Sequence, residues 1–360
     1  MSTTNITPPS SICVLRLSAI GDVCHALSAV QLIQKTYPQC RITWVMGKIE
    51  AQLLGDLPGI EVVVFDKKQG FKGMKVVWQQ LKGIKFDYLL HMQVALRASL
   101  LSWGIKAKVK LGFSWSRAKE GQWLFTNKKL PATEVGHVLD NFAEFARYLG
   151  CPVTKPSWSI PLSDEEMALA KSLSQPYMVI SPAASKDERN WLVERYAQVA
   201  DHAHQQGLSV MLCGAPTERE HKLAAQIEQT MSVPCTNLVG KTSLKQLVAV
   251  LKHAEVVLAP DSGPAHMATT QGTPVIGLYA HSNPRRTGPY NSQQLVVSVY
   301  DQIAQEQYGK PVSELAWGSR VKGQDLMARI QVEDVIAQLD HLLPSKMSRE
   351  SLEDESLQAE

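Results

Sequence analysis

Short apolar, β-branched runs alternate with stretches of helical periodicity along most of this chain, and the alternation runs twice. In the first half, ICVLRLSAI (12–20), RITWVMG (41–47), IEVVVFD (60–66) and FDYLLHMQ (86–93) read as strands. Between the first two, Val23, Ala26, Leu27, Val30 and Ile33 recur at helical spacing until Tyr37-Pro38 ends the pattern. Strands of this kind, joined by helices, predict βαβ units and a parallel sheet. After a helical stretch at 137–150, the segment CPVTKPSWSIPLSDEE places Pro152, Pro156 and Pro161 among polar residues and reads as a linker. The pattern then restarts with YMVISP (177–182), LSVMLCG (208–214), AEVVLAP (254–260) and TPVIGLY (273–279). The expectation is an α/β protein of two doubly wound, Rossmann-like domains facing a central cleft. They would span 1–160 and 161–343, ahead of a tail at 344–360 that lacks apolar periodicity and is expected to be disordered.

The chain has 360 residues, 44% of them hydrophobic, enough for two cores of ordinary size. Its first residues carry no positive charge, and Arg16 interrupts the apolar run that follows, unlike a secretory signal. No stretch approaches the roughly 20 apolar residues of a membrane span. A cytoplasmic location is therefore expected. The six cysteines show no CxxC pair and no spacing shared with histidines, so neither a disulfide framework nor a zinc site is expected. Most sit beside Val, Leu or Met and read as small core residues.

The first strand-turn-helix, SAIGDV, matches neither G-x-G-x-x-G nor G-x-x-x-x-G-K-[ST]. It also sets a carboxylate, Asp22, where a phosphate would be repelled. Dehydrogenase and P-loop chemistry are thereby disfavoured. The second half is better suited to an anion. In APDSGPAHMATTQG, Ser262 and Gly263 follow a strand and precede a helical stretch, where a hydroxyl and backbone amides can meet a pyrophosphate. In AASKDERNW, Lys186 and Arg189 occupy a loop after another strand, and both loops could converge on one diphosphate. Plainer readings stand beside these. Asp22 could be a helix N-cap, Asp261 and Ser262 a turn and a cap, Lys186 and Arg189 solvated loop charges, and His202 and His204 surface residues.

Taken in order, LRLSAIGDVCHALSAV, SPAASKDERNW and APDSGPAHMATTQGTPVIGLYAHSNP resemble the bacterial lipopolysaccharide heptosyltransferases of glycosyltransferase family 9, over roughly residues 11–340. The resemblance implies a GT-B fold with an acceptor-binding N-terminal half and a donor-binding C-terminal half. It further implies inverting, metal-independent transfer of L-glycero-D-manno-heptose from ADP-heptose to the Kdo-bearing inner core of lipid A, with no cofactor. Asp22 then corresponds to the general base that takes a proton from the acceptor hydroxyl. Because a helix start favours negative charge, proton transfer is expected to be late. Lys186 and Arg189 correspond to diphosphate contacts, with Ser262 and Gly263, and with Asp261 and His266 completing the loop. Glu218, in CGAPTERE, is the candidate for the donor's ribose or adenine, with Glu220 nearby. The details lean toward the enzyme that adds the first heptose.

Charge is unevenly spread. From Lys67 to Lys129 there are 14 lysines and arginines against 2 acids, a local balance of +12, which leaves −9 for the rest of a chain whose net charge is +3. This suggests an anionic partner. Under the resemblance it would be the Kdo carboxylates and lipid A phosphates at the inner membrane surface, contacted peripherally. Arg97, Arg117, Lys119 and His137 are the acceptor candidates, while the tryptophans at 78, 103, 115 and 123 could simply be packing. Two other functions compete. A GT-B sugar-nucleotide epimerase would turn over the donor alone. A nucleic-acid-binding protein would use the basic, Trp-containing segment, but no recognition motif accompanies the charge, and no nucleic-acid partner is expected.

Overall fold

The computed structural model describes residues 7–132 and 136–343, and the tail expected to be disordered lies outside them. The chain divides at Pro161 and Leu162 into two compact units.

In the first unit, β1 (Ser11–Leu15), α1 (Ile20–Thr36), β2 (Arg41–Gly47), α2 (Lys48–Leu54), β3 (Ile60–Phe65), α3 (Gly70–Gln80), β4 (Phe86–His91), α4 (Leu96–Trp103), β5 (Ala107–Gly112), β6 (Lys128–Lys129) and α5 (Val138–Tyr148) follow in order. The six strands form one parallel sheet in the order β3-β2-β1-β4-β5-β6. All five residues of β1 are buried, as expected for a strand with both faces covered. One face packs Cys13, Leu15, Val45 and Val63 against Met74 and Val77 of α3 and Ala98 and Leu101 of α4. Elsewhere α1 packs on α5. The β1 strand is shorter than the apolar run suggests. After Leu15, the Leu17 N–H leaves the ladder and donates to Gln93 Oε1 at 2.7 Å.

The second unit contains α6 (Asp164–Ser172), β7 (Tyr177–Ile180), α7 (Val193–Gln205), β8 (Ser209–Leu212), α8 (Glu218–Thr230), β9 (Thr236–Asn237), α9 (Leu244–His253), β10 (Val256–Pro260), α10 (Gly263–Gln271), β11 (Val275–Tyr279), α11 (Pro284–Thr287), β12 (Val297–Ser298), α12 (Tyr300–Tyr308) and α13 (Val332–Leu342). Its sheet is again parallel and six-stranded, ordered β12-β11-β10-β7-β8-β9. Met178, Ile180, Leu212 and Leu258 pack with Tyr196 of α7, Ile227 of α8, Ile303 of α12 and Val335 of α13. Full burial of each aliphatic side chain contributes about 1.5–3 kcal/mol.

Each sheet has a point where the strand order reverses, between β1 and β4 in the first and between β7 and β10 in the second. At the carboxyl ends of such strand pairs the outgoing loops diverge and leave room for a ligand. The Asp22 segment follows β1, and the Arg189 and Ser262 loops follow β7 and β10.

Candidate active site

In the first unit, Ala19 rather than Asp22 is the N-cap of α1, which corrects the reading of Asp22 as the cap. Asp22 is the third helical residue, and its Oδ2 accepts from the Ala19 N–H at 3.3 Å. The same oxygen is ion-paired with the Arg16 guanidinium. Arg16 also donates to the Met92 carbonyl at 2.8 Å and lies 5.3 Å from the centre of the Phe142 ring. One guanidinium thus ties the helix start to the end of β4 and to α5. Sequence reading missed Arg16, whose only visible signal was a charge interrupting an apolar run.

Glu50 was missed as well. It is buried on the first turn of α2. Burial pushes its carboxyl up, more strongly than its own backbone hydrogen bond, Lys67 and Arg16 hold it down, and the charge of Asp22 adds to the rise.

The acceptor candidates lie in different settings. Arg97 and Lys119 are exposed. Arg117 is buried: its guanidinium pairs with Glu144 at 2.6 Å, donates to Asn141, and through Nε donates to Ser114 Oγ at 3.2 Å. It joins the 114–117 turn to α5 and presents no solvated charge. His137 is buried as the N-cap of α5, where its Nδ1 accepts from the Leu139 N–H at 3.1 Å. The His137 ring meets that of His25 edge-on at 5.1 Å. Since His25 follows Asp22 by three positions on α1, both lie on one side of that helix.

In the second unit, Ser262 is the N-cap of α10, with Gly263 and Pro264 opening the helix. An ordinary serine cap accepts from a backbone N–H two or three residues on. The Ser262 hydroxyl makes no cap bond and, though buried, has no hydrogen-bond partner. A buried orphan of this kind calls for an explanation. Arg189 is not a solvated loop charge either, being only 9% exposed, and its Nε is buried without a partner. Burial, followed by the charge of nearby Arg320, pushes its pKa down, while Asp261 and Glu188 act the other way. Two guanidinium groups that repel each other near Asp261, and an orphan hydroxyl on the next residue at a helix N-terminus, are features that could receive an anion.

Asp261 stays ionised beside them. Burial alone would push its carboxyl up, but a hydrogen bond and charge from His266, the Ser282 hydroxyl and Arg189 bring it below the ordinary carboxylate value. Ser282 Oγ donates to Asp261 Oδ2 at 2.8 Å, and His266 Nε2 lies 3.8 Å from Oδ1. The acid therefore orients the rim of the loop. Lys186 is exposed, with Nζ 3.5 Å from Glu188. Glu218 is exposed at the start of α8, whereas Glu220 is engaged, its Oε2 accepting from the Ala215 N–H at 2.7 Å. His281 and Arg320 were missed: the β11 end carries His281, and the Arg320 segment bridges to Ser282. His281 stands just past a strand-like run, inside the stretch that carries the resemblance, whereas nothing local announces Arg320, which reaches Ser282 from 38 residues further along the chain. Among the described residues, no group of three or more His, Cys, Asp or Glu side chains could hold a metal ion.

Two Rossmann-like parallel-sheet units, one with an acid opening the helix after its switch-point strand and the other with a candidate anion site, have the architecture of the GT-B fold. Residues 74–317 match glycosyltransferase family 9 (heptosyltransferase), and the chain belongs to that family. It is 51% identical to the lipopolysaccharide core heptosyltransferase OpsX of Haemophilus influenzae, covering 93% of this chain and 97% of that one. It is 24% identical to lipopolysaccharide heptosyltransferase 1 of Escherichia coli, over 79% of this chain and 92% of the relative. A solved structure of the E. coli heptosyltransferase WaaC with ADP superposes with a TM-score of 0.71 at 19% identity, covering 92% of this chain and 99% of that one.

Proposed function

We propose that this enzyme transfers L-glycero-D-manno-heptose from ADP-heptose to the Kdo region of lipid A during assembly of the lipopolysaccharide core. In this reading residues 161–343 bind the donor and residues 1–160 the acceptor. The observation that carries it is the orphan Ser262 hydroxyl at the start of α10, together with the buried, unpartnered Nε of Arg189. A diphosphate would satisfy both. The relatives support the choice of sugar and acceptor, one being called a core heptosyltransferase and a superposable one having been solved with ADP.

The proposed step is inverting and metal-independent. The Asp22 carboxylate accepts the proton of the acceptor hydroxyl as its oxygen attacks the anomeric carbon. The bond from that carbon to the β-phosphate oxygen breaks, and ADP departs with the electron pair. Arg189, Lys186, the Ser262 hydroxyl and the α10 amides stabilise the departing charge. Glu218 is assigned to the nucleoside, and Gly263, Asp261 and His266 to the shape of the phosphate loop. Arg97 and Lys119 are assigned to acceptor anions, with His137 lining the Asp22 side of α1. Arg117, held by Glu144, supports that region from behind.

Among the described residues, no helix is long and apolar enough to cross a membrane. We place the reaction on the cytoplasmic side of the inner membrane. The motifs favour the enzyme that adds the first heptose, while the identity to heptosyltransferase 1 is less than half that to the core enzyme. The test is ADP release from ADP-heptose with Kdo-lipid A in EDTA, beside an Asp22→Asn variant. Acceptor-dependent release by the wild type alone, with ADP binding kept in the variant, supports the reading. Release without acceptor, or equal release by both proteins, overturns it.

A further inference from the structure

His281 follows the end of β11 and is buried, at 4% exposure. Its Nε2 lies 3.3 Å from the Gly323 carbonyl, and since a carbonyl only accepts, Nε2 carries the ring proton. The other nitrogen, Nδ1, is then a bare lone pair. It is buried and has no hydrogen-bond partner among the described residues. The ring is held in place by its surroundings rather than by a ligand. The Val321 N–H donates to the His281 carbonyl at 3.2 Å, and Ser282 pairs with Arg320 in an antiparallel bridge. That returning segment is anchored in turn on α12, where the Tyr300 and Tyr308 hydroxyls donate to the carbonyls of Ser319 and Arg320 at 2.9 and 2.7 Å. Gly323 takes a φ of 152°, a conformation that glycine adopts readily.

Few groups can fill the position facing that lone pair. Burial pushes the His281 pKa below its ordinary value, against the Gly323 hydrogen bond and the charge of Glu188, and the charges of Arg189 and Lys186 push the same way as burial. The ring is therefore neutral at about pH 7. A phosphate oxygen has no hydrogen to give and is repelled by a lone pair, while an ammonium group is repelled by Arg189 and Lys186. What remains is a neutral donor, above all a hydroxyl. The next residue, Ser282, donates to Asp261 Oδ2 at 2.8 Å, which ties the exit of β11 to the loop that carries Ser262. His281 thus belongs to the same group of loops as the orphan Ser262 hydroxyl and Arg189 Nε, yet it suits a different kind of atom.

We propose that His281 Nδ1 accepts a hydrogen bond from a hydroxyl of the sugar carried by the donor diphosphate, and so helps to select that sugar; the assignment rests on the transfer reading. The sheet order favours the sugar over the nucleoside. With the diphosphate at the switch point between β7 and β10, β8, which leads to Glu218, lies on one side, and β11, which leads to His281, lies on the other. A nucleoside on the β8 side leaves the β11 side to the sugar. A site whose acceptor is left bare when a hydroxyl is missing discriminates strongly, because the unpaired group stays buried. A buried water is the other occupant such a lone pair can have, and it is one outcome of the test.

The experiment is calorimetric titration of the full chain with ADP and with ADP-L-glycero-D-manno-heptose, on the wild type, His281→Leu and His281→Asn. His281→Leu removes the acceptor and should weaken ADP-heptose by about three- to tenfold while leaving ADP affinity unchanged. His281→Asn offers an amide oxygen in place of the lone pair and should recover most of the loss. In the wild type, the nitrogen NMR signal of the unprotonated His281 nitrogen should move upfield with ADP-heptose and not with ADP, a readout that does not depend on the stability of a variant. Equal loss of both affinities, no loss of either, as for a position held by water, or a nitrogen signal indifferent to the sugar overturns the proposal. A wild type that releases ADP from ADP-heptose with Kdo-lipid A, beside a His281→Leu protein of full donor affinity, overturns this assignment alone. A wild type that releases none overturns the transfer reading and the assignment with it.

Discussion

Arg16 and Asp22 are bound to each other as an ion pair, and the same guanidinium reaches 2.8 Å to the Met92 carbonyl at the end of β4. The proposed base is thus held by a planar fork with a second anchor. Lysine can keep the charge but not both contacts in one plane. Arg16→Lys is expected to lower kcat about tenfold with little change in KM for the donor, a loss near 1.4 kcal/mol in the barrier. Asp22→Asn should lower kcat by at least about a hundredfold. Steady-state ADP release on both variants is the measurement, and a change confined to KM would contradict the positioning role.

Ser262→Ala separates binding from folding. The substitution removes a buried hydroxyl that has no partner, so stability should stay within about 0.5 kcal/mol or rise. ADP affinity should fall, by about ten- to a hundredfold if one hydrogen bond to a charged group is lost. Calorimetric titration with ADP beside a denaturant melt checks both signs. A variant that loses stability and keeps ADP affinity would mark Ser262 as an ordinary cap.

Arg117 should behave as a structural residue. Arg117→Ala leaves the Glu144 carboxylate buried without this cation, and loss of one partner of such a pair costs about 3–5 kcal/mol. Replacing both with methionine should be far milder. Urea unfolding of the single and double variants decides it: an Arg117→Ala protein of normal stability whose acceptor KM has risen would restore Arg117 to the acceptor site.

Acid should destabilise the first unit through His91. Its ring is fully buried, with Nδ1 3.1 Å from Gln122 Nε2, and burial pushes it down from 6.5 to about 3. The folded state keeps the imidazole neutral where the unfolded chain takes up a proton, so protons favour unfolding. This contribution is whole above about pH 6.5 and is lost as pH falls toward 3, at up to about 1.4 kcal/mol per pH unit. His91→Gln should flatten the dependence between pH 5 and 6.5 by about one proton. Proton uptake on unfolding that is equal in the two proteins would refute it.

Much of the fold was legible because burial on both faces leaves its mark on a strand. The runs at 41–47 and 275–279 needed no knowledge of their neighbours. The β5 strand, AKVKLG, was missed because lysines alternate along it; Lys110 is accommodated only because its ammonium donates to the Ser102 carbonyl at 2.7 Å. The candidate site was legible to the same extent. Ser262 and Gly263 open the helix that follows β10, and Asp22 lies in the first turn of the helix that follows β1, positions that local pattern alone locates.

What the sequence by itself determined was the alternation of strand and helix, its restart after the proline-rich stretch, the concentration of charge between Lys67 and Lys129, and the family motifs. Only the tertiary structure decided which charges meet. Arg117 and Arg97 look alike in sequence, yet one is buried against α5 and the other is exposed. The Arg16 contact to Met92 and the bridge from Arg320 to Ser282 join positions 76 and 38 residues apart. Local periodicity reports only whether a residue favours water or the core. Pairing of charges is set by how strands distant in sequence are ordered in a sheet, and that order exists only once the chain has folded.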